Sequence, residues 1–225
     1  MAGESSNKRR IRLWDLPVRL VHWSLALLLP SLWWTWHSGR TELHEKLGYL
    51  TLGLLLFRIL WGIFGSSTAR FAHFVKGPRA IAAYLRGRSP ASLGHNPLGA
   101  LSVLALLGLM IIEVGLGLFA QDVDGIEAGS LAKFVSYDTA EWARDSHAWL
   151  FDIILAVVAL HVLAILFYLL IKRDNLVGPM VTGSKEVGDG VVEPAAAPAW
   201  RGLVTALIAA AGAWWISKGL PWPGA

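Results

Sequence analysis

Apolar residues along this chain gather into five long runs, at roughly 18–36, 46–64, 97–119, 148–171 and 201–217. A helix needs about 20 predominantly apolar residues to cross the hydrocarbon of a bilayer, and the first four runs reach or approach that length. The fifth, Leu203 to Ile216, is shorter and rich in Ala. Its small residues suit close packing on another helix, so it predicts a fifth span. An amphipathic or re-entrant helix is the other reading of its length. The first run has a basic start, but Trp33, Trp34 and Trp36 stand where a small-residue cleavage site would lie, which predicts an uncleaved helix rather than a signal peptide. The pattern as a whole predicts an all-α integral membrane protein.

Composition agrees. Hydrophobic residues make up 55%, charged residues only 16%, and the mean hydropathy is +0.51, whereas soluble domains run near a quarter charged. Twelve Trp is a high count for 225 residues, and Trp gathers at membrane interfaces. There is no Cys. That excludes disulfides, thiolate zinc sites, cysteine-ligated iron–sulfur clusters and covalently attached c-type haem. It leaves seven His as the main candidate metal ligands.

Charge alternates between the connections. Segments 1–19, 65–96 and 172–201 hold fourteen of the twenty Lys and Arg, and 65–96 has no Asp or Glu. The opposite segments, 37–46 and 120–147, hold Arg40, Lys46, Lys133 and Arg144, and the latter carries Asp122, Asp124, Glu127, Asp138, Glu141 and Asp145. By the positive-inside rule the N-terminus is cytoplasmic. The basic residues then mark cytoplasmic loops, so no nucleic-acid partner is expected. Residues 183–200, rich in Gly, Pro, Ala and Glu, read as a flexible linker between a transmembrane domain at 1–182 and a C-terminal hydrophobic helix at 201–225.

Polar groups inside a membrane are costly and therefore functional hypotheses. His147 opens the fourth run and His161 lies fourteen residues later, which puts them on nearly one helix face, about 21 Å apart along the axis. His22 lies near the cytoplasmic start of the first run and His44 at the outer start of the second. With alternating topology, His22 falls at the depth of His161, and His44 at the depth of His147. Two pairs at two depths suit flat cofactors clamped between helices, and two bis-histidine haems fit. A zinc or copper site would need three or four ligands at one depth. Interfacial histidines and packing hydrogen bonds are the plainer alternative.

Other residues join this arrangement. Gly48, four after His44, lies on the same face and would admit a macrocycle. Arg58, fourteen after His44, shares that face at the inner depth, where a haem propionate would pair with it; snorkelling to headgroups is the alternative. Arg19 would serve similarly or anchor at the interface. Glu113 and Asp152 would relay protons for a quinone or act as structural hydrogen-bond partners, the latter favoured for Asp152. His37 and His73 read as interfacial or loop residues. His95, in Gly94-His95-Asn96-Pro97, reads as part of the cap before the third run, where Pro97 opens the helix, or as a propionate contact.

The segments WDLPVRLVHW (14–23), LHEKLGY (43–49), GHNPLGA (94–100) and the stretch from His147 through HVLAILFYLLIKRDNLVGPMVTG resemble prokaryotic cytochrome b-561 and the b-type cytochrome subunit of nickel–iron hydrogenases. The resemblance covers about residues 10–185 and leaves out the linker and fifth helix. It implies a four-helix transmembrane bundle holding two haem b, with His22 and His161 as ligands of one and His44 and His147 of the other. It also implies electron transfer across a bacterial inner membrane. One end would be the quinone pool. The other would be a periplasmic redox partner: a hydrogenase, another dehydrogenase or a cytochrome c. An electron-transfer subunit is expected rather than a stand-alone enzyme. One branch of the family oxidises superoxide and reduces quinone, but the mostly acidic 120–147 segment disfavours attraction of an anion. A haem-free, proton-coupled transporter is a third reading. The acidic outer segment is a candidate docking face for the redox partner.

Overall fold

The computed structural model describes residues 8–88, 93–188 and 190–221. It opens with a short strand β1 (Arg9–Arg12) and a long helix α1 (Leu16–His37). Asp15 caps α1 by accepting a hydrogen bond from Val18 N at 2.8 Å, and Pro17 lies in the first turn, where its missing N–H costs nothing. Three residues with Gly39 in the left-handed region (φ 65°) turn the chain into α2 (Thr41–Phe64). So short a connection makes α1 and α2 antiparallel neighbours, and they pack together. Two short helices, α3 (Phe71–Phe74) and α4 (Pro78–Leu85), precede α5 (Pro97–Phe119). Asn96 caps α5 by accepting from Gly99 N at 2.7 Å.

After α5 the chain forms a narrow turn closed by an isolated Gln121–Ala128 bridge and a 3-10 turn at Ala132–Phe134. Ser136 then caps α6 (Tyr137–Leu170). A one-and-a-half-turn helix α7 (Val177–Thr182), strand β2 (Ser184–Val187) and α8 (Ala199–Ser217) complete the order. Five of these helices, α1, α2, α5, α6 and α8, are long and apolar enough to cross a membrane. Their exposed surface is rich in Leu, Ile and Trp, as expected of helices whose solvent is lipid. The fold is a helical membrane bundle.

The fifth helix is a structural part of that bundle. Thr205, Ala209 and Ala213, four residues apart, are its buried stripe, and α8 packs chiefly on α2. A Cβ at Gly53 of α2 would lie 3.6 Å from the Ala213 methyl, and one at Gly212 would lie 3.5 Å from Leu56. Small residues thus bring the two backbones close.

The segment expected as a flexible linker is tied at several points. β2 pairs antiparallel with β1, Arg9 opposite Val187 and Arg12 opposite Ser184. Arg12 N donates to Glu193 Oε1 at 3.0 Å, and Ser67 N donates to Ala195 O at 3.0 Å. Composition reads the Gly, Pro and Ala content as freedom, whereas partners more than a hundred residues away supply the order.

These ties also set the sidedness of the molecule. β1, the end of α2, β2 and the 190–198 segment meet on one face, around the core of Leu13, Trp14, Val18, Trp61 and Ala69. Asp15 joins them: its Oδ2 accepts from Trp61 Nε1 at 2.8 Å and from the Ser66 hydroxyl. The three basic segments therefore share one face of the bundle.

Candidate functional site

His22 lies on the second turn of α1, and His161 lies two turns before the C-terminal end of α6. His161 Nδ1 is 3.1 Å from the Ser102 hydroxyl of α5, and His22 Nδ1 is buried without a hydrogen-bond partner. His44, on the first turn of α2, and His147, in α6, face one another with ring centres 6.2 Å apart and planes at 89°. His44 Nδ1 is 3.0 Å from Leu32 O and 3.3 Å from Thr35 Oγ1. His147 Nδ1 is 2.9 Å from Glu113 O.

In three of the four histidines, then, Nδ1 is held by another helix, and the ring is oriented with Nε2 free. A metal-binding imidazole is usually held this way, its other ring nitrogen bonded to a neighbouring group that fixes tautomer and orientation. Two imidazoles bound to one metal through Nε2 at about 2 Å each hold their ring centres about 6 Å apart, which the outer pair matches. All four side chains are half-buried. α5 packs along α6, and α1 along α2, but among the described residues neither α1 nor α2 forms an extended packing contact with α6. His44 and His147 thus reach toward each other from helices that stand apart. Among the described residues no three His, Asp or Glu converge as a metal cluster, so each pair stands alone at its depth.

The inner end carries further chemistry. Arg58 of α2 is only 6% exposed. Its Nη1 reaches Ala69 O at 3.4 Å, and its guanidinium lies 4.9 Å over the Phe71 ring. Among the described residues it forms no ion pair, although a buried guanidinium is costly without one. His95 is wedged between Trp14 and Phe74, at ring-centre distances of 4.6 and 4.5 Å, and its Nδ1 has no partner. Burial first, then the neighbouring Arg58 and His161, pushes its pKa down to about 4, so the ring is neutral at physiological pH. The helix cap expected of His95 belongs to Asn96, whose Nδ2 also donates to Tyr168 Oη at 2.8 Å. Tyr168 in turn hydrogen-bonds Tyr84 of α4, whose hydroxyl is pushed up to about 12 by burial and by that neighbour.

Several expected residues are placed differently. Arg19 points its Nε and Nη2 at the carbonyls of Met180 and Val181. Its role there is to fasten the end of α7 to α1. A Cβ on Gly48 would meet nothing within 4 Å, so this face of α2 is open beside His44. Asp152 is exposed and takes no hydrogen bond among the described residues, which removes the packing role expected of it. His147 stands at the start of the apolar run but lies ten residues inside α6, which begins at Tyr137. At the end of the bundle away from β1 and β2, Lys46 pairs with Glu42 at 2.5 Å, and Arg144 with Asp145 at 3.0 Å and Glu141 at 3.5 Å. Two of the four cations a superoxide site would draw on there, Lys46 and Arg144, are thus paired with carboxylates.

Ser102, Thr35, Leu32 O, Glu113 O and Gly117 are absent from the sequence expectations as ligand supports. Backbone carbonyls carry no side-chain signal, and single hydroxyls in apolar helices are common. Comparison with known proteins gives one result: a family model for prokaryotic cytochrome b561 matches residues 13–183. No curated protein and no solved structure matches the chain. The match spans β1's neighbour Leu13 through Gly183, and so takes in all four histidines and the helices that carry them. The chain therefore belongs to the prokaryotic cytochrome b561 family, membrane b-type cytochromes of electron transfer.

Proposed function

We propose that the chain is a di-haem cytochrome b of a bacterial inner membrane. It carries electrons between the quinone pool and a periplasmic redox partner, with its N-terminus and basic face cytoplasmic. The observation that carries this reading is the half-buried His44–His147 pair, with two further half-buried histidines, His22 and His161, at the other end of the same helices' bundle. The His44 and His147 rings lie 6.2 Å apart, and His22 is paired with His161 from their matched positions along α1 and α6.

Haem, when bound, supplies a one-electron couple whose potential the protein tunes through ligands, hydrogen bonds and burial. The chain's own residues do the rest. Leu32 O, Thr35, Ser102 and Glu113 O hold imidazole Nδ1 atoms and so present Nε2 to iron. Arg58 offers an unpaired buried cation to a propionate at the inner site. Open backbone at Gly48 gives the outer macrocycle room. α1, α2, α5 and α6 exclude water from the path between the two sites. The partner is a hydrogenase subunit, another dehydrogenase or a cytochrome c.

The test is haem quantification on the purified chain with its histidine variants. Two low-spin, six-coordinate haems per chain are expected. His22→Ala and His161→Ala should remove one and the same centre, and His44→Ala and His147→Ala the other. One haem per chain, a high-spin spectrum, or losses that cross these pairs would overturn the assignment. A protein with no Soret band would favour the transporter.

A further inference from the structure

α5 presents two residues to His147 that the reading above leaves without a role of their own. Glu113 and Gly117 are four apart and lie on one face of the helix. The Glu113 carboxyl Oε1 is 3.3 Å from His147 Nδ1, beside the backbone carbonyl oxygen at 2.9 Å. A Cβ on Gly117 would stand 3.1 Å from His147 Cε1 and 3.4 Å from Nδ1. Only bare backbone admits the ring at this closeness, and only that closeness brings Nδ1 to a carbonyl already used within the helix. Glu113 is 8% exposed, and its Oε2 is buried without a partner. A carboxyl kept inside a membrane helix is expensive. The other two anchored histidines rest on a hydroxyl or a carbonyl, and neither has a carboxyl in contact.

We propose that Glu113 and Gly117 form a slot that fixes the ring plane and tautomer of His147 and lowers the potential of the outer haem. They are positioning residues, acting through His147. The inference rests on the reading of His147 as an axial ligand. An acceptor beside Nδ1–H makes the imidazole a stronger donor through Nε2, which favours ferric over ferrous iron. The missing side chain at 117 lets the ring lie against the α5 backbone.

Redox titration and electron paramagnetic resonance of the full-length, haem-loaded protein test this. Glu113→Leu should weaken the ferric preference of one haem about tenfold, the low end of such outer-shell effects. That is a rise of about 59 mV for a one-electron couple. The haem affected should be the one lost in His147→Ala. Glu113→Gln, which keeps an acceptor oxygen, should give a smaller rise. Gly117→Ala, whose methyl needs only a few tenths of an ångström, should shift the ferric g values of the same haem. Ser102→Ala, beside His161, should instead affect the other centre. If Glu113→Leu fails to assemble, Gly117→Ala alone decides. A two-haem protein whose g values and potentials are unmoved by these variants would overturn the slot, as would equal shifts in both haems or equal effects of Leu and Gln at 113. Retention of both haems in His147→Ala would instead overturn the ligand assignment.

Discussion

Gly62 shows how tightly the inner end is built. A Cβ there would lie 2.0 Å from Phe71 Cε2, a distance no side chain tolerates. The same Phe71 ring is the floor beneath the buried Arg58 guanidinium. Gly62→Ala must therefore push Phe71 away and unseat Arg58, at an overpacking cost of about 1–3 kcal/mol. Under the proposed function the expected outcome is loss or weakened retention of the haem assigned to His22 and His161, with the one assigned to His44 and His147 intact, read by haem content and a thermal melt. Equal retention of both haems would deny Arg58 its part in the inner site. The four histidines were legible in the sequence because a polar residue in an apolar run is conspicuous, and the helix period fixes its face and depth. Gly62 and Gly117 were not: glycine in a membrane helix is common, and only the position of a distant ring reveals which one is indispensable. The same holds for Arg19, whose partners are the carbonyls of Met180 and Val181. Carbonyls leave no trace in the identity of a residue.

Among the elements, α8 and α6 differ most from what hydropathy alone implies. α6 begins at Tyr137, eleven residues before the apolar run at 148. Hydropathy marks where a helix meets lipid, not where it starts; the cap at Ser136 marks the start, and polar residues such as Asp138 and Glu141 carry the helix beyond the membrane. For α8 the Ala content correctly pointed to close packing, but the partner, α2, is a matter of tertiary structure. Its buried stripe of Thr205, Ala209 and Ala213 alternates with exposed Ala206 and Ala210. Ala209→Leu should therefore force α8 off α2 and lower stability by about 1–3 kcal/mol. Ala210→Leu, on the outward face, should change it by no more than about 0.5 kcal/mol. Thermal unfolding of the two variants in one detergent makes the comparison. Equal melting temperatures would mean that α8 contributes little to holding α2. Because α2 carries both His44 and Arg58, haem retention after heating should follow the same order.

The molecule as a whole is polarised, with the basic segments gathered on the face of β1, β2 and the α2–α5 connection, and an acidic cluster at the other end. On the acidic side, Glu141 and Asp145 are engaged by Arg144. Asp122, Asp124 and Glu127 form no ion pair among the described residues, and they sit on the narrow turn that carries exposed Val123 and Ile126. The turn is held by Asp122 N donating to Glu127 O, by Glu127 N donating to the Asp122 side chain, and by Gly125 at φ 68°. It is a defined, charged knob with an apolar tip, on the side of the outer histidine pair. Under the proposed function this knob docks a partner with a positive patch, and its charge acts mainly on the association rate. Changing Asp122 and Asp124 to Asn and Glu127 to Gln keeps an oxygen acceptor at Asp122 for Glu127 N while removing the charge. Electron transfer to the partner should slow at low ionic strength, by roughly tenfold or more if steering dominates. The difference should shrink toward physiological salt, where exposed charges are screened over about 8 Å. Haem content and reduction of the haems by quinol should not change, since no histidine is touched. A transfer rate unaltered at low salt would remove the docking role and leave the turn as an exposed connection between α5 and α6.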